Sequence, residues 1–281
     1  MSSIFEARLS VRKVTRLYEP AASRDPVLKP LWHVGEGRML FAGCLQRNAL
    51  HSHAAPVLIA GLYENFRFRI KGSDWLSCRA AVVRAGMAYE FDAGGHPMAV
   101  LYVEPNAASA EGLAALVDRA REERGALIAM GCDIAPIRAL YEDAASADWA
   151  SEATADLVKF SNARARRSVD ERVRKALDTI VMDEDCETVG GHLPAPPVTL
   201  AARSVKLSTS RFQHLFKQEV GVSYRRYAAW VRMRAAVSEV VGGGNLTTAA
   251  HAAGFYDQPH FAREFRRIFG APASRSLTNV R

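Results

Sequence analysis

Ser208-Thr209-Ser210-Arg211-Phe212-Gln213-His214-Leu215-Phe216-Lys217 returns in outline as Asp257-Gln258-Pro259-His260-Phe261-Ala262-Arg263-Glu264-Phe265-Arg266. The two stretches lie 49 positions apart, and Gly221 and Gly270 follow them at the same offset. Ser208 and Asp257 are residue types that cap helix N-termini, because a short side-chain oxygen can accept from the free N–H groups of the first turn. Phe212 and Phe216, like Phe261 and Phe265, stand four apart, so each pair shares one helix face and is predicted to be core. Leu200-Ala201-Ala202 and Ala249-Ala250-His251 precede the two stretches as short Ala-rich helices. Two short helices joined by a tight turn, made twice, predict two helix-turn-helix units.

Charge follows the duplication. Residues 192–281 hold thirteen Lys and Arg against four Asp and Glu, a net +9, while residues 1–191 net −2. All of the chain's excess of +7 therefore sits on the repeated segment. That concentration suits a phosphate backbone.

The rest of the chain sets bounds. Its 281 residues suffice for two domains, and 49% hydrophobic with 24% charged residues is ordinary for a soluble globular protein. No apolar run approaches the roughly 20 residues that span a bilayer, and Met1 to Arg8 lacks a signal-peptide hydrophobic segment. Cys44, Cys78, Cys132 and Cys186 are scattered, which argues against a disulfide framework or structural zinc site and fits a reducing compartment. A cytoplasmic protein without membrane attachment is expected.

Residues 32–105 read mainly as β structure. Val57 to Leu62 is an apolar run, Phe66 to Ile70 alternates with period two, and Ala99 to Val103 is a buried strand stopped at Glu104-Pro105. Lys71 to Asp74 and Gly94-Gly95 are turn signals. From Glu111 the spacing of Leu113, Leu116, Val117 and Ala120 predicts a helix running into Arg121 to Arg124. Further helices are predicted over 134–141 and 153–160. Asn162 to Arg167 reads as a polar connector, and Ser168 with Glu171 as a capping box opening another helix. A loop containing Gly190-Gly191 and Pro194 to Pro197 leads to the first helix-turn-helix unit. A long helix from Tyr224 to Val241, ended by Gly242-Gly243-Gly244, joins the two units.

The frame Leu200-Ala201-Ala202, Ser208, Phe212, Phe216-Lys217, Gly221, Tyr227, Arg232 to Ala236, Gly254 to Phe265 and Gly270 resembles the AraC/XylS family of bacterial transcription regulators. The resemblance covers about residues 168–281. One departure is Ala271 before Pro272, where the family usually has serine. The resemblance implies a seven-helix domain whose two recognition helices enter successive major-groove segments about one turn (~34 Å) apart. On the first recognition helix Thr209, Ser210, Gln213 and His214 are candidate base contacts, and on the second Gln258, Pro259 and Arg263. Gln can pair with adenine and Arg with guanine, while proline offers only apolar contact. Arg211, Lys217, Arg266 and Arg267 are candidate phosphate contacts, which fix register. His251 and His260 read as structural or solvent-facing.

In the N-terminal half, His51-Ser52-His53 beside the Val57 to Leu62 strand looks like a degenerate cupin motif, as in sensor domains of this family. The places where a metal-binding cupin adds a Glu and a later His hold Pro56 to Leu58 and Tyr89. Two histidines are too few for a metal site, and no metal or other cofactor is predicted. His51, His53, Tyr63, Trp75 and Tyr89 are candidate ligand-pocket residues, although barrel core is the favoured reading for any one of the aromatics. The helices between 111 and 160 fit a dimerisation element better than simple packing on the barrel.

The reading is therefore an α+β chain. A cupin-like β-barrel followed by helices (1–160) precedes a linker (161–167) and an all-α domain with two helix-turn-helix motifs (168–281). It predicts a homodimeric, promoter-binding transcription regulator with no catalytic residues and with effector sensing in the barrel. Activation and contact with RNA polymerase are implied by the resemblance. The alternative is a cupin-type metal-dependent enzyme fused to a DNA-binding module.

Overall fold

The computed structural model describes residues 28–107, 109–143, 145–162, 169–182, 195–278 and 280. The first part is β1 Leu31–Gly35, β2 Arg38–Cys44, β3 Arg47–His51, β4 Val57–Gly61, β5 Phe66–Ile70, β6 Leu76–Cys78, β7 Ala80–Val83, β8 Tyr89–Asp92 and β9 Pro97–Val103. A one-turn helix α1 (Ala110–Ala114), β10 (Val117–Glu123), β11 (Ala126–Cys132), α2 (Ala135–Glu142) and α3 (Ala150–Asn162) follow. Two antiparallel sheets face each other in a cupin-like barrel. One has the order β1-β2-β9-β4-β7-β11-β10, the other β3-β8-β5-β6.

The larger sheet is covered on both faces, which is why its central strands read as continuous apolar runs. Val57 and Ile59 of β4 point between the sheets together with Phe41, Val100 and Tyr102. Leu58 and Ala60 point the other way, with Leu40, Leu101 and Val82, under the helices. There Leu113, Ile137, Leu140, Tyr141, Leu157 and Val158 bury the apolar stripes of α1 to α3. The helices expected to form a dimerisation element thus lay their apolar stripes on the barrel.

The helix predicted from Glu111 to Arg124 is not formed beyond Ala114. Residues 117–132 instead make a hairpin whose two-residue turn, Arg124-Gly125, has φ of 49° and 89°. Positive φ at both positions is the twist that joins right-twisted antiparallel strands, and glycine takes it without steric cost. The Asp, Arg and Glu residues that resembled a helix's polar face line β10, an exposed edge strand where charge discourages further pairing.

The second part is α4 Glu171–Met182, α5 Val198–Ser204, α6 Thr209–Val220, α7 Tyr224–Val241, α8 Leu246–Ala252, α9 Gln258–Phe269 and α10 Ala273–Ser276. These are seven helices among the described residues. α3 continues through Asn162, two residues into the predicted linker; the remainder of that linker, Ser168 and the Gly190-Gly191 loop lie outside the described residues. No helix among the described residues is long and apolar enough to cross a membrane.

Barrel and helices share one core. Glu104, just past β9, is 1% exposed and accepts from the Tyr227 hydroxyl and the Trp230 indole at 3.2 Å each. It also pairs with Arg234 at 3.0 Å. All three partners lie on α7. Trp32 donates its indole N–H to the Ser276 carbonyl at 2.7 Å. The Ala49 amide donates to the Gly270 carbonyl at 2.8 Å, and Asn48 donates to that of Phe269. Arg226 donates to the Ser52 carbonyl at 2.8 Å.

Candidate nucleic-acid interface

The recognition helices form where the sequence places their caps. Ser208 accepts from the Arg211 amide at 3.3 Å, and Asp257 accepts from the His260 amide at 2.6 Å. Gly221 and Gly270 end the helices in the left-handed region, φ +87° and +72°. Both glycines also abut the barrel. A Cβ at Gly221 would stand 3.0 Å from the Ala85 carbonyl, and one at Gly270 would strike the Ala49 carbonyl and the His51 ring.

The aromatic faces are core, as their spacing requires. Phe212, Phe216, Phe261 and Phe265 are at most 1% exposed. Phe216 packs on Tyr224 and Tyr227 with ring centroids 5.3 and 5.7 Å away. Phe265 packs on Phe269 at 4.4 Å. α7 lies between the two units, and Tyr224, Tyr227, Trp230, Val231, Met233, Val237 and Val240 bury nearly its whole circumference. Arg232 reaches from α7 over the Phe255 ring at 4.6 Å and ties it to the turn before α9.

With those faces buried, the opposite ones are presented outward. Ser210, Arg211, Gln213, His214 and Lys217 of α6 are exposed and Thr209 is half-buried; Gln258, Pro259, Arg263, Arg266 and Arg267 of α9 are exposed. Thr247 donates to the Gln258 amide oxygen at 3.1 Å, which fixes that side chain's orientation. Arg267 is held by Glu264 through Nε at 3.0 Å, and a neighbouring carboxylate lessens its availability to a phosphate. A groove of about 670 Å³ runs along α6 between Ser210, Gln213, His214 and Lys217 and the start of α7 at Ser223 and Arg225. Ser223 and Arg225 line that groove without having been singled out in the sequence, and Tyr256 is 85% exposed in the turn before α9.

The two units are not perfect copies. Buried Ala201, Ala202 and Val205 correspond to Ala249, Ala250 and Ala253, a spacing of 48, whereas the recognition helices repeat at 49. The second turn therefore holds one more residue. It runs through Gly254 at φ +72°, and the first through Lys206 at φ +56°. The Leu200-Ala201-Ala202 and Ala249-Ala250-His251 pairing is shifted by one.

The five candidate pocket residues separate. His51, His53 and Tyr89 meet at the junction with the helices, where His53 lies 5.9 Å from Trp230 and 5.8 Å from Phe269. The Tyr89 hydroxyl and His53 Nδ1 are hydrogen-bonded at 2.9 Å, and His51 Nδ1 donates to the Ala49 carbonyl at 2.6 Å. Burial lowers the His51 pKa to about 4, against the Ala49 hydrogen bond and Glu90, which act to raise it. Burial, His51 and Arg226 hold His53 well below the usual histidine range. Tyr63 lies elsewhere, donating to Glu142 at 2.7 Å, and Trp75 sits on the outer face of the smaller sheet beneath arginines. His260 Nδ1 accepts from the Tyr256 amide and its ring packs on Phe255.

Known proteins share this arrangement. A family described as a helix-turn-helix domain matches residues 201–278. The arabinose operon regulatory protein of Escherichia coli K12 is 30% identical over 114 residues, 40% of this chain and 39% of that protein. Its Salmonella typhimurium counterpart is 30% identical over 109 residues, 38% of each. The chain carries this helix-turn-helix domain in its C-terminal part. It spans about two fifths of the length of these curated relatives. Across both parts, the chain has the fold of the unsaturated fatty acid-bound ToxT of Vibrio cholerae, TM-score 0.54 at 10% identity, covering 88% of this chain and 97% of ToxT.

Proposed function

We propose that the protein is a sequence-specific DNA-binding transcription regulator. The observation that carries this is the pair of recognition helices with matching polar faces, both mounted on α7. At ~1.5 Å per residue its 18 residues extend about 27 Å, a frame suited to two major-groove segments roughly one turn apart. Thr209, Ser210, Gln213, His214, Gln258, Pro259 and Arg263 read base edges in this proposal, and Arg211, Lys217, Arg266 and Arg267 hold phosphates. The barrel supplies effector sensing and homodimerisation, with its buried contact to α7 as the route to the reading helices. A cytoplasmic activator that touches RNA polymerase at promoters completes the proposal.

Because His53 packs against Trp230 and Phe269, and His51 and Tyr89 pack against His53, we assign the three to the joint between barrel and helices rather than to a ligand pocket. Binding of the full chain to duplex DNA at rising salt tests the assignment of charge. Four phosphate clamps predict a log–log slope of about −3.6 per bound chain, at ~0.9 per contact. A slope near zero would contradict it.

A further inference from the structure

The outer face of the four-stranded sheet holds a cluster that the helix-turn-helix units do not use. Arg47 of β3 and Arg67 and Arg69 of β5 converge on the Trp75 indole, their guanidinium carbons 5.6, 4.8 and 4.7 Å from its centroid. Glu90 on β8 receives Arg47 at 2.8 Å and Arg69 at 2.6 Å. One carboxylate therefore answers two guanidiniums. Arg67 is exposed and has no ion pair among the described residues; Asp92, its cross-strand neighbour, accepts from the Gly94 amide. Lys71 follows β5, and Arg124 at the tip of the β10–β11 hairpin lies beside Gly72. Counting Arg47, Arg67, Arg69, Lys71 and Arg124 against Glu90, Asp92 and Asp74, the face is positive within a segment, 1–191, that nets −2.

Stacking on an indole restricts a guanidinium while leaving its N–H edge free to pair with a phosphate, so less rotamer entropy is lost when an anion binds. Position selects among anions. β3 is the edge strand of this sheet, and the C-terminal end of α9 is hydrogen-bonded to it through Gly270 to Ala49 and Phe269 to Asn48. The arginine face is thus rigidly continuous with the element that carries Arg263 and Arg266.

We propose that Arg67, with Arg47 and Arg69 stacked on Trp75, grips the sugar–phosphate backbone of duplex DNA flanking the segment read by α9. The barrel then extends the DNA footprint directly. This rests on the DNA-binding reading above.

The test uses the full chain and two duplexes built on its own selected motif, one ending at the motif and one with long flanks. On the long duplex, Arg67→Ala weakens binding about fivefold at 0.15 M salt and lowers the salt slope by ~0.9, the loss of one phosphate contact. Arg67→Lys restores the slope. On the short duplex both variants match the parent chain. Equal behaviour of parent and Arg67→Ala on the long duplex, or an equal loss on both, overturns the proposal. So does a defect confined to transcription with RNA polymerase, which would make the face a protein-docking surface. Failure of the parent chain to bind either duplex would instead remove the DNA-binding reading itself.

Discussion

Replacing Glu104 by glutamine should uncouple the barrel from the reading helices at a cost of about 3–5 kcal/mol, the range for breaking a buried ion pair by removing one partner. Glu104 is 1% exposed and Arg234 4%, so neither charge is screened by bulk water. The carboxylate also accepts from Tyr227 and Trp230, and an amide offers one oxygen where two served. Each neutral hydrogen bond weakened adds about 0.5–1.5 kcal/mol, so the upper half of the range is expected. Arg234→Met should cost a comparable amount, since it strands the glutamate. The double variant should cost little more than either single, so the coupling in a double-mutant cycle approaches one single-variant cost, about 3–5 kcal/mol. Urea unfolding reports it, because Trp230 at the joint changes environment when the parts separate. Additive losses, or a loss below about 1 kcal/mol for Glu104→Gln, would show that the joint does not depend on this carboxylate.

The buried histidines predict an acid response. Their folded-state pKa values lie below 6.5, so unfolded chains bind more protons as pH falls from about 6.5 towards 4, and stability drops by ~1.4 kcal/mol per pH unit for each histidine. Urea midpoints between pH 7 and 5 should fall in the parent chain and fall less steeply in His51→Gln; parallel curves would refute the assignment. Gly270→Ala should cost more than the roughly 1 kcal/mol of a left-handed alanine, because the new methyl meets the Ala49 carbonyl, and thermal unfolding would show it. Gln213→Ala or Arg263→Ala should relax preference at one base position by about 1–3 kcal/mol, whereas Lys217→Ala or Arg266→Ala should weaken all sequences alike. Identical behaviour of the two sets in a competition binding assay would dissolve the division.

What was legible in the sequence follows from how local each signal is. Ser208, Asp257, Gly221, Gly270 and the Phe pairs act within one or two helical turns, so the recognition helices and their exposed faces could be placed closely. The β10–β11 hairpin was misread because Leu113, Leu116, Val117 and Ala120 satisfy a helical period by coincidence, and the Arg124-Gly125 turn that decides against it is a two-residue signal. The extra residue in the second turn was hidden because the sequence match is strongest beyond it. Glu104 read only as the residue that stops a strand with Pro105, since nothing local reveals that it meets Arg234 130 positions later. Trp75 could be read as a pocket residue, because the sheet face it takes depends on the register with β5 of β6, the strand it precedes.

Selection of binding sites from random duplex DNA by the full chain tests the central claim most directly. The account predicts enrichment of a motif with two short blocks about one helical turn (~34 Å) apart, returned as a repeat if the barrel dimerises the protein. Salt-sensitive binding that enriches no motif would contradict it, leaving a positively charged protein without a sequence to read.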